Sequence, residues 1–471
     1  MDLVKEPIPK LIRHIAMPAS IGFFFNTMYN VVDTFYAGLH STDALAALAA
    51  SFPIFFIILA LGSGVGQGAT ALIANALGEG NEEEAHHLSL QSVSFGILLA
   101  GVLTVLGLAM APTLFRALGA EERFLSLSLE YMNVILLGTV FFMLQSILNA
   151  TLNALGDTRT FRDVLIAGCL LNAVLDPWFM LGGWGLPAMG VRGIALATFV
   201  IQIAGSAYLL YKVRHTRIWR GWRWGWFRPD RRLYRDIAVQ GFPASLNMLT
   251  VALGIFVITW FIARFSKEGV AAYGIATRIE QIFLLPTIGL NIAILSLTGQ
   301  NNGARRFDRI REARRVGLVT GLVMMGVAGI LLFLFGGAMM GWFTGDREVV
   351  RIGAEYLRIA SVTLGSYVIL FQSVFMLQGL KKPIYGLWVG LYRQIVAPCL
   401  VFWLLAFQLG WGMKGVWWGI FLVTWSAALF MLWFGGWKLS RIEGAQQGAF
   451  AARGAAPQGE GREERGERRS P

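Results

Sequence analysis

The chain has 471 residues, of which 56% are hydrophobic and only 14% charged, with 33 Phe and 16 Trp among them. A soluble domain carries about 25% charged residues to cover its surface, so a water-soluble globular protein is excluded. The net charge of +12 raises nucleic acid as a partner, but the distribution of the cations along the chain points away from it.

A helix needs about 20 apolar residues to cross a bilayer. Such windows occur in order at 12–38, 47–77, 88–111, 127–154, 163–183, 190–211, 237–264, 270–298, 316–340, 352–378, 386–408 and 415–437. They predict an all-α polytopic membrane protein with twelve transmembrane helices. Lys5, Lys10 and Arg13 lead into a first span too long for a cleavable signal peptide. Cys169 and Cys399 both fall inside spans and read as small apolar fillers. His86 and His87 fall in the polar stretch after span two and read as solvated.

The cations cluster on one side of a twelve-span count. Lys212, Arg214, Arg217, Arg220, Arg223, Arg228, Arg231, Arg232 and Arg235 share one loop, and Arg305, Arg306, Arg309, Arg311, Arg314 and Arg315 another. The N-terminus, the Arg159/Arg162 turn, the Lys381/Lys382 turn and the tail lie on the same side. The opposite side holds only Arg116, Arg123, Arg192, Lys267, Arg347 and Lys414. By the positive-inside rule both termini are cytoplasmic and the protein sits in the cytoplasmic (inner) membrane. The tail from about Gly444, ending "GEGREERGERRSP", is polar and reads as disordered.

The chain also repeats itself. "PAS" at 18–20 recurs at 243–245, Gly78 at Gly303, and Glu130–Tyr131 at Glu355–Tyr356, all shifted by 225. Gly156 is matched to Gly379 at 223, and "GVRG" at 190–193 to "GMKG" at 412–415, at 222. Each unit holds six spans, an even number, so both copies run in the same sense and are related by a pseudo-twofold axis along the membrane normal. The expected organisation is a six-helix lobe at 1–211, a basic linker at 212–236, a second six-helix lobe at 237–440 and a disordered tail at 441–471. A cleft between two such lobes is the default place for a substrate.

Asp33 sits in "NTMYNVVDTFYAG", flanked by Val31, Val32 and Phe35. A carboxylate at the bilayer centre costs about 2.5–3.5 kcal/mol on insertion scales, so a functional role is favoured over mere packing. On an ideal helix Asn26, Asn30 and Asp33 form one polar stripe. A second intramembrane acid, Asp176, follows Asn172 by one helical turn in span five. Pro177 cannot donate to the carbonyl of Ala173, which leaves an extra acceptor nearby. Thr198 in span six adds a hydroxyl. Together these oxygens suit an exchangeable proton or Na⁺, and two carboxyls side by side gain by holding a proton.

Other positions are secondary candidates. Tyr131 offers a hydroxyl to the first-lobe cavity, although its repeat mate Tyr356 points to a shared structural role. Asn149 and Gln67 are candidate cavity amides. Pro18 is a candidate hinge below Asp33. Glu280, beside Arg278, reads as paired with an arginine, and Arg393 in span eleven has no partner evident in sequence.

Taken together, "GQGATALIANALGEGNEEEA" (66–85), "NALGDTRT" (153–160), "GVRGIALAT" (190–198), "PTIGLNIAILSLTGQNNGA" (286–304) and "GLKKP" (379–383) give the chain a family resemblance over residues 1–440. It resembles the MATE multidrug and toxin extrusion transporters. The competing major facilitator type carries a G-x-x-x-D-R/K-x-G-R-R loop after span two, where this chain has "GEGNEEEAHH". The resemblance implies a monomeric antiporter, without cofactor, that exports amphipathic or cationic drug-like molecules. Within the family the chain is similar to the prokaryotic DinF-like subgroup, whose coupling site maps onto Asp33, Asn172, Asp176 and Thr198. The NorM-type acids of spans seven and ten have no counterpart, and the position 225 after Asp33 is Ile258. Coupling is thereby expected in the first lobe alone.

Two other functions were weighed. A lipid-linked glycan flippase of the same superfamily needs a cationic cavity, which the first span of neither lobe supplies. A membrane-embedded enzyme needs a nucleophile or a His/Asp constellation at one interface. The five histidines, His14, His40, His86, His87 and His215, are scattered near span ends and in loops.

Overall fold

The computed structural model describes the chain apart from residues 118, 120, 121, 184, 220–223 and 455–471. Its first half comprises α1 (Ile8–His40), α2 (Thr42–Gly78), α3 (Glu82–Ala117), α4 (Glu122–Leu137), α5 (Thr139–Ala154), α6 (Arg159–Leu181) and α7 (Val191–Arg214). The second comprises α8 (Arg231–Ala263), α9 (Lys267–Gly303), α10 (Phe307–Gly341), α11 (Arg347–Gly379), α12 (Ile384–Leu391), α13 (Ala397–Phe402) and α14 (Gly412–Gly454).

Ten helical stretches are long and apolar enough to cross a membrane, and the bent pair α4–α5 makes an eleventh. The twelfth span is α1, whose amides and acid lower its mean hydropathy. Window 127–154 folds as two helices bent by 43° at Gly138. Span eleven is α12 and α13, interrupted by π-helical turns at Tyr392–Val396 and Trp403–Gln408. Pro18 does not break its helix, which runs unbroken from Ile8 to His40.

The basic segment between the halves folds against the first. Ile218 and Trp219 are buried in one core with Leu72, Leu90 and Ile147, and Gln91 Nε2 donates to the carbonyls of Trp226 (2.6 Å) and Arg228 (2.7 Å). His86 is buried, and both His86 and His87 pack on Trp226, which corrects their reading as solvated. Arg220 and Arg223 lie outside the described residues. Helix α14 passes the expected boundary at 440 and continues to Gly454, with Ile442 against the core and Glu443 paired with Arg311. The remainder of the expected disordered tail, 455–471, also lies outside the described residues.

The repeat is visible in the contacts between the halves, where α1 packs on α9 and α2 on both α8 and α9. Ser20 of the first "PAS" donates to the carbonyl of Pro286 (3.1 Å), and Ser245 of the second donates to that of Leu61 (3.4 Å). Both donor and acceptor are shifted by 225, so the two bonds are pseudo-symmetric mates. Gly78 and Gly303 form another such pair. A Cβ on Gly78 would collide with the Gln300 carbonyl, and one on Gly303 with the Asn75 carbonyl.

The turns after the helices repeat as well. Gly156 and Asp157 donate their N–H groups to Asn153 and Leu152, as Lys381 and Lys382 do to Gln378 and Leu377. This sets the equivalence of Gly156 at 225, with Lys381, rather than at 223 with Gly379. The sequence match followed residue identity, whereas the cap geometry follows the backbone. The hydrogen bonds between the halves gather toward the arginine-rich face. There the N-terminal residues Leu3, Ile8 and Leu11 are buried among Leu290, Ile294 and Leu377 of the second half, and Arg309 donates to the carbonyls of Leu3 and Glu6.

Candidate functional site

Asp33 on α1 faces α6, and the side chain that meets it is Asn172. The Nδ2 of Asn172 donates to Asp33 Oδ1 at 2.8 Å and to Asp176 Oδ1 at 2.9 Å, so one amide bridges two acids. The second contact follows from helix geometry, since residues four apart are neighbours on one face. The first requires α1 and α6 to pack directly, which they do. Asp33 is 7% exposed, and Asn172 and Asp176 are fully buried. Among the described residues nothing donates to Asp176 Oδ2 or Asn172 Oδ1. Two buried oxygens without partners are costly unless something electropositive meets them, and a proton or a small cation does so.

Thr198 of α7 is buried and accepts at 3.0 Å from the hydroxyl of Tyr29, which lies within electrostatic range of both acids. Tyr29 precedes Asp33 by one turn of α1. The Ala173 carbonyl, freed by Pro177, accepts from the Tyr36 hydroxyl at 3.2 Å. Neither tyrosine belongs to the set expected from sequence. Their signal was present as i−4 and i+3 spacing around Asp33, but in a chain this rich in aromatic residues that spacing carries little weight.

Other candidates are placed differently. Asn26 and Asn30 are exposed, and the Asn30 amide donates to the Asn26 carbonyl (2.8 Å) rather than to Asp33. The expected single stripe is split, because the helix turns Asp33 into the α6 interface and leaves the amides outside it. Tyr131 is buried in the core around α1, α2 and α7, within electrostatic range of both acids. Gln67 donates to Ser63 one turn back, at 3.0 Å. Asn149 lines a cavity of about 10 Å³ with Gly22, Asn153 and Ile292, large enough for one water.

The second half carries its own buried acid. Glu280 on α9 accepts from the Tyr356 hydroxyl at 2.7 Å and lies within hydrogen-bond reach of Tyr367 and electrostatic range of Arg393, so its arginine partner is Arg393 and not the neighbouring, exposed Arg278. Arg393 finds partners that sequence did not offer. Its guanidinium stands over the rings of Tyr367 (5.4 Å) and Phe371 (5.9 Å). Among the described residues no cluster of three or more His, Cys, Asp or Glu forms a metal site.

Comparison with known proteins agrees with this architecture. The MatE family model matches twice, over residues 18–178 and 243–403, again offset by 225. The probable multidrug resistance protein YoeA of Bacillus subtilis (strain 168) is 29% identical over 330 residues, covering 69% of this chain and 71% of its own. The probable multidrug resistance protein NorM of Thermotoga maritima is 26% identical over 427 residues, covering 84% and 92%. A solved structure described as the "Outward-facing conformation of a multidrug resistance MATE family transporter of the MOP superfamily" superposes with a TM-score of 0.87 at 26% identity, covering 93% of this chain and 97% of that one. The chain belongs to the MatE family and is a multi-pass membrane transporter of the multidrug-efflux class.

Proposed function

We propose that the protein is a secondary antiporter that exports amphipathic, often cationic drugs in exchange for H⁺ or Na⁺ bound between Asp33, Asn172 and Asp176. The observation that carries this reading is the bridging amide. Asn172 holds two carboxylates together and leaves one oxygen of Asp176 and its own Oδ1 without a hydrogen-bond partner. Thr198 and Tyr29 close the site on the α7 side. Two unneutralised carboxylates this close are unfavourable, so occupancy by a cation relieves repulsion, and loss of the cation restores it.

The arginine-rich face is cytoplasmic in this reading, and both termini lie there, in the inner membrane, as the cation asymmetry requires. The halves are tied together at that face through Ser20, Ser245, Gly78 and Gly303. In the conformation described the drug path is therefore closed toward the cytoplasm. In the proposed cycle, cation entry at the acid pair accompanies release of drug outside, and cation release inside accompanies drug uptake from the cytoplasm. The working unit is one chain, and no cofactor takes part.

Efflux of a cationic dye from vesicles under an imposed ΔpH or ΔNa⁺ tests this. The Asp33→Asn and Asp176→Asn variants that still reach the membrane are expected to lose gradient-driven efflux. Wild-type efflux from both removes the coupling site.

A further inference from the structure

Only two described residues other than glycine have a left-handed backbone, Arg305 (φ 55°) and Lys381 (φ 60°). That conformation costs a side-chain-bearing residue about 1–2 kcal/mol. The repeat shows that the cost is avoidable at both places. Residues 225 earlier are Gly80 (φ 75°) and Gly156 (φ 81°), which close the equivalent turns with the equivalent hydrogen bonds. Glycine serves in the first half, whereas the second half bears a cation at each position.

Both cations line the same cavity. It has a volume of about 820 Å³, opens on the arginine-rich face, and lies where the two halves meet. Asn75 and Glu79 come from the first half, Asn302, Arg305, Lys381 and Lys382 from the second, and α14 adds Ile442. Three cations face one carboxylate. Glu79 stands 4.0 Å from Lys381, an exposed ion pair worth at most about 1 kcal/mol and easily displaced. Asn75 donates to the carbonyls of Ala71 and Gly379, which fixes its Oδ1 as the acceptor from Asn302 Nδ2 at 2.6 Å. Among the described residues nothing donates to the Oδ1 of Asn302, which is buried with no surface open to the cavity. Three cations beside one displaceable carboxylate suit a ligand with an anionic group.

We propose that this cavity is a binding site for a phosphate ester, with phosphoglycerol as the minimal probe, which bridges the two halves and holds the arginine-rich face closed. Lys381, Lys382 and Arg305 meet the phosphate. Basic pockets at the membrane surface on this side of a protein take lipid headgroups, but a soluble phosphate ester offers the same groups. Because the lining comes from both halves, the ligand binds only while they are together, and it shifts the population toward that state by its binding energy. The site is separate from the acid pair, and its test does not depend on cation exchange.

The experiment uses the full chain in nanodiscs of phosphatidylcholine. One arm titrates glycerol 3-phosphate and the other replaces part of the lipid with phosphatidylglycerol, with thermal unfolding and saturable binding as readouts. At least one arm is expected to stabilise the wild type. Response in the lipid arm alone identifies a headgroup, and response to glycerol 3-phosphate identifies a site open to soluble esters. The Arg305→Gly/Lys381→Gly double variant is expected to keep or raise unfolding temperature without ligand, since glycine takes the left-handed backbone freely. It should bind at least about tenfold more weakly per charge removed. Glu79→Gln should bind more tightly, and Arg232→Gln, an exposed cation outside the cavity, should match wild type. No response in either arm, or equal binding by the double variant, overturns the proposal.

Discussion

Asp33 and Asn172, which lie 139 residues apart in sequence, are joined across α1 and α6 by a buried 2.8 Å hydrogen bond. The same amide nitrogen serves Asp176 at 2.9 Å, so neither acid is held independently of the other. The consequences of that arrangement differ from those of two separate buried carboxyls.

Asn172→Ala removes the amide that donates to both acids and leaves both carboxylates buried. A buried polar group that loses its partner costs about 1–3 kcal/mol, more when charged. The variant is expected to unfold several degrees below wild type. Adding Asp176→Asn to it should restore part of the loss, because one of the stranded charges is gone. Thermal unfolding of the two variants checks this, and simple additivity of the two substitutions would contradict a shared site.

Tyr29→Phe deletes the 3.0 Å bond to Thr198 and little else. A single neutral hydrogen bond contributes about 0.5–1.5 kcal/mol, so the fold is expected to survive with a small loss of stability. Because Tyr29 lies within electrostatic range of both acids, the variant should require a higher H⁺ or Na⁺ concentration for half-maximal efflux at an unchanged maximal rate. A dose-response of efflux against the driving cation reads this directly, and an unchanged midpoint would place Tyr29 outside the site.

Gly303→Leu drives a side chain into the Asn75 backbone, where no flexible group can give way. The expected result is separation of the halves at the arginine-rich face. In a background with Cys169 and Cys399 replaced by alanine, a cysteine at the buried position Ala74 should react slowly with a polar thiol reagent. The same cysteine should react quickly once Gly303→Leu is added. Equal labelling rates would mean that this contact does not keep the face closed.

Glu280→Gln tests the second half. Its carboxylate, on α9, accepts from Tyr356, while the repeat position of Asp33 is Ile258 on α8, so the second half has no counterpart of the acid pair. Cation-driven efflux is expected to persist in this variant. Abolished efflux with an intact fold would place a coupling group in the second half as well.

Much of this was legible from residue order. The twelve spans follow from apolar length, and the repeat from five ordered matches. The "PAS" matches even mark a pair of reciprocal hydrogen bonds, at Ser20 and Ser245. Asn172 and Asp176 were readable because four residues make one helical turn. The pairing of Asp33 with Asn172 was not contained in any spacing and came from family resemblance. Asn30 was misplaced because it lies some 60° from Asp33 around an ideal helix, enough for one to face α6 and the other to stay exposed. The partners of Arg393 were not legible because Tyr367 and Phe371 lie on another helix, α11, and meet it only through packing. Gly156 was matched to the wrong residue because Lys381 occupies a glycine backbone without being glycine.

The most direct test of coupling at the acid pair is substrate-induced cation release from the purified protein. A cationic dye is added to the protein in weakly buffered detergent solution, and released H⁺ is followed with a pH indicator, or released Na⁺ with ²²Na⁺. Wild type and Glu280→Gln should release cation on dye binding, whereas Asp33→Asn and Asp176→Asn should bind dye and release none. Undiminished release from either aspartate variant would contradict the account.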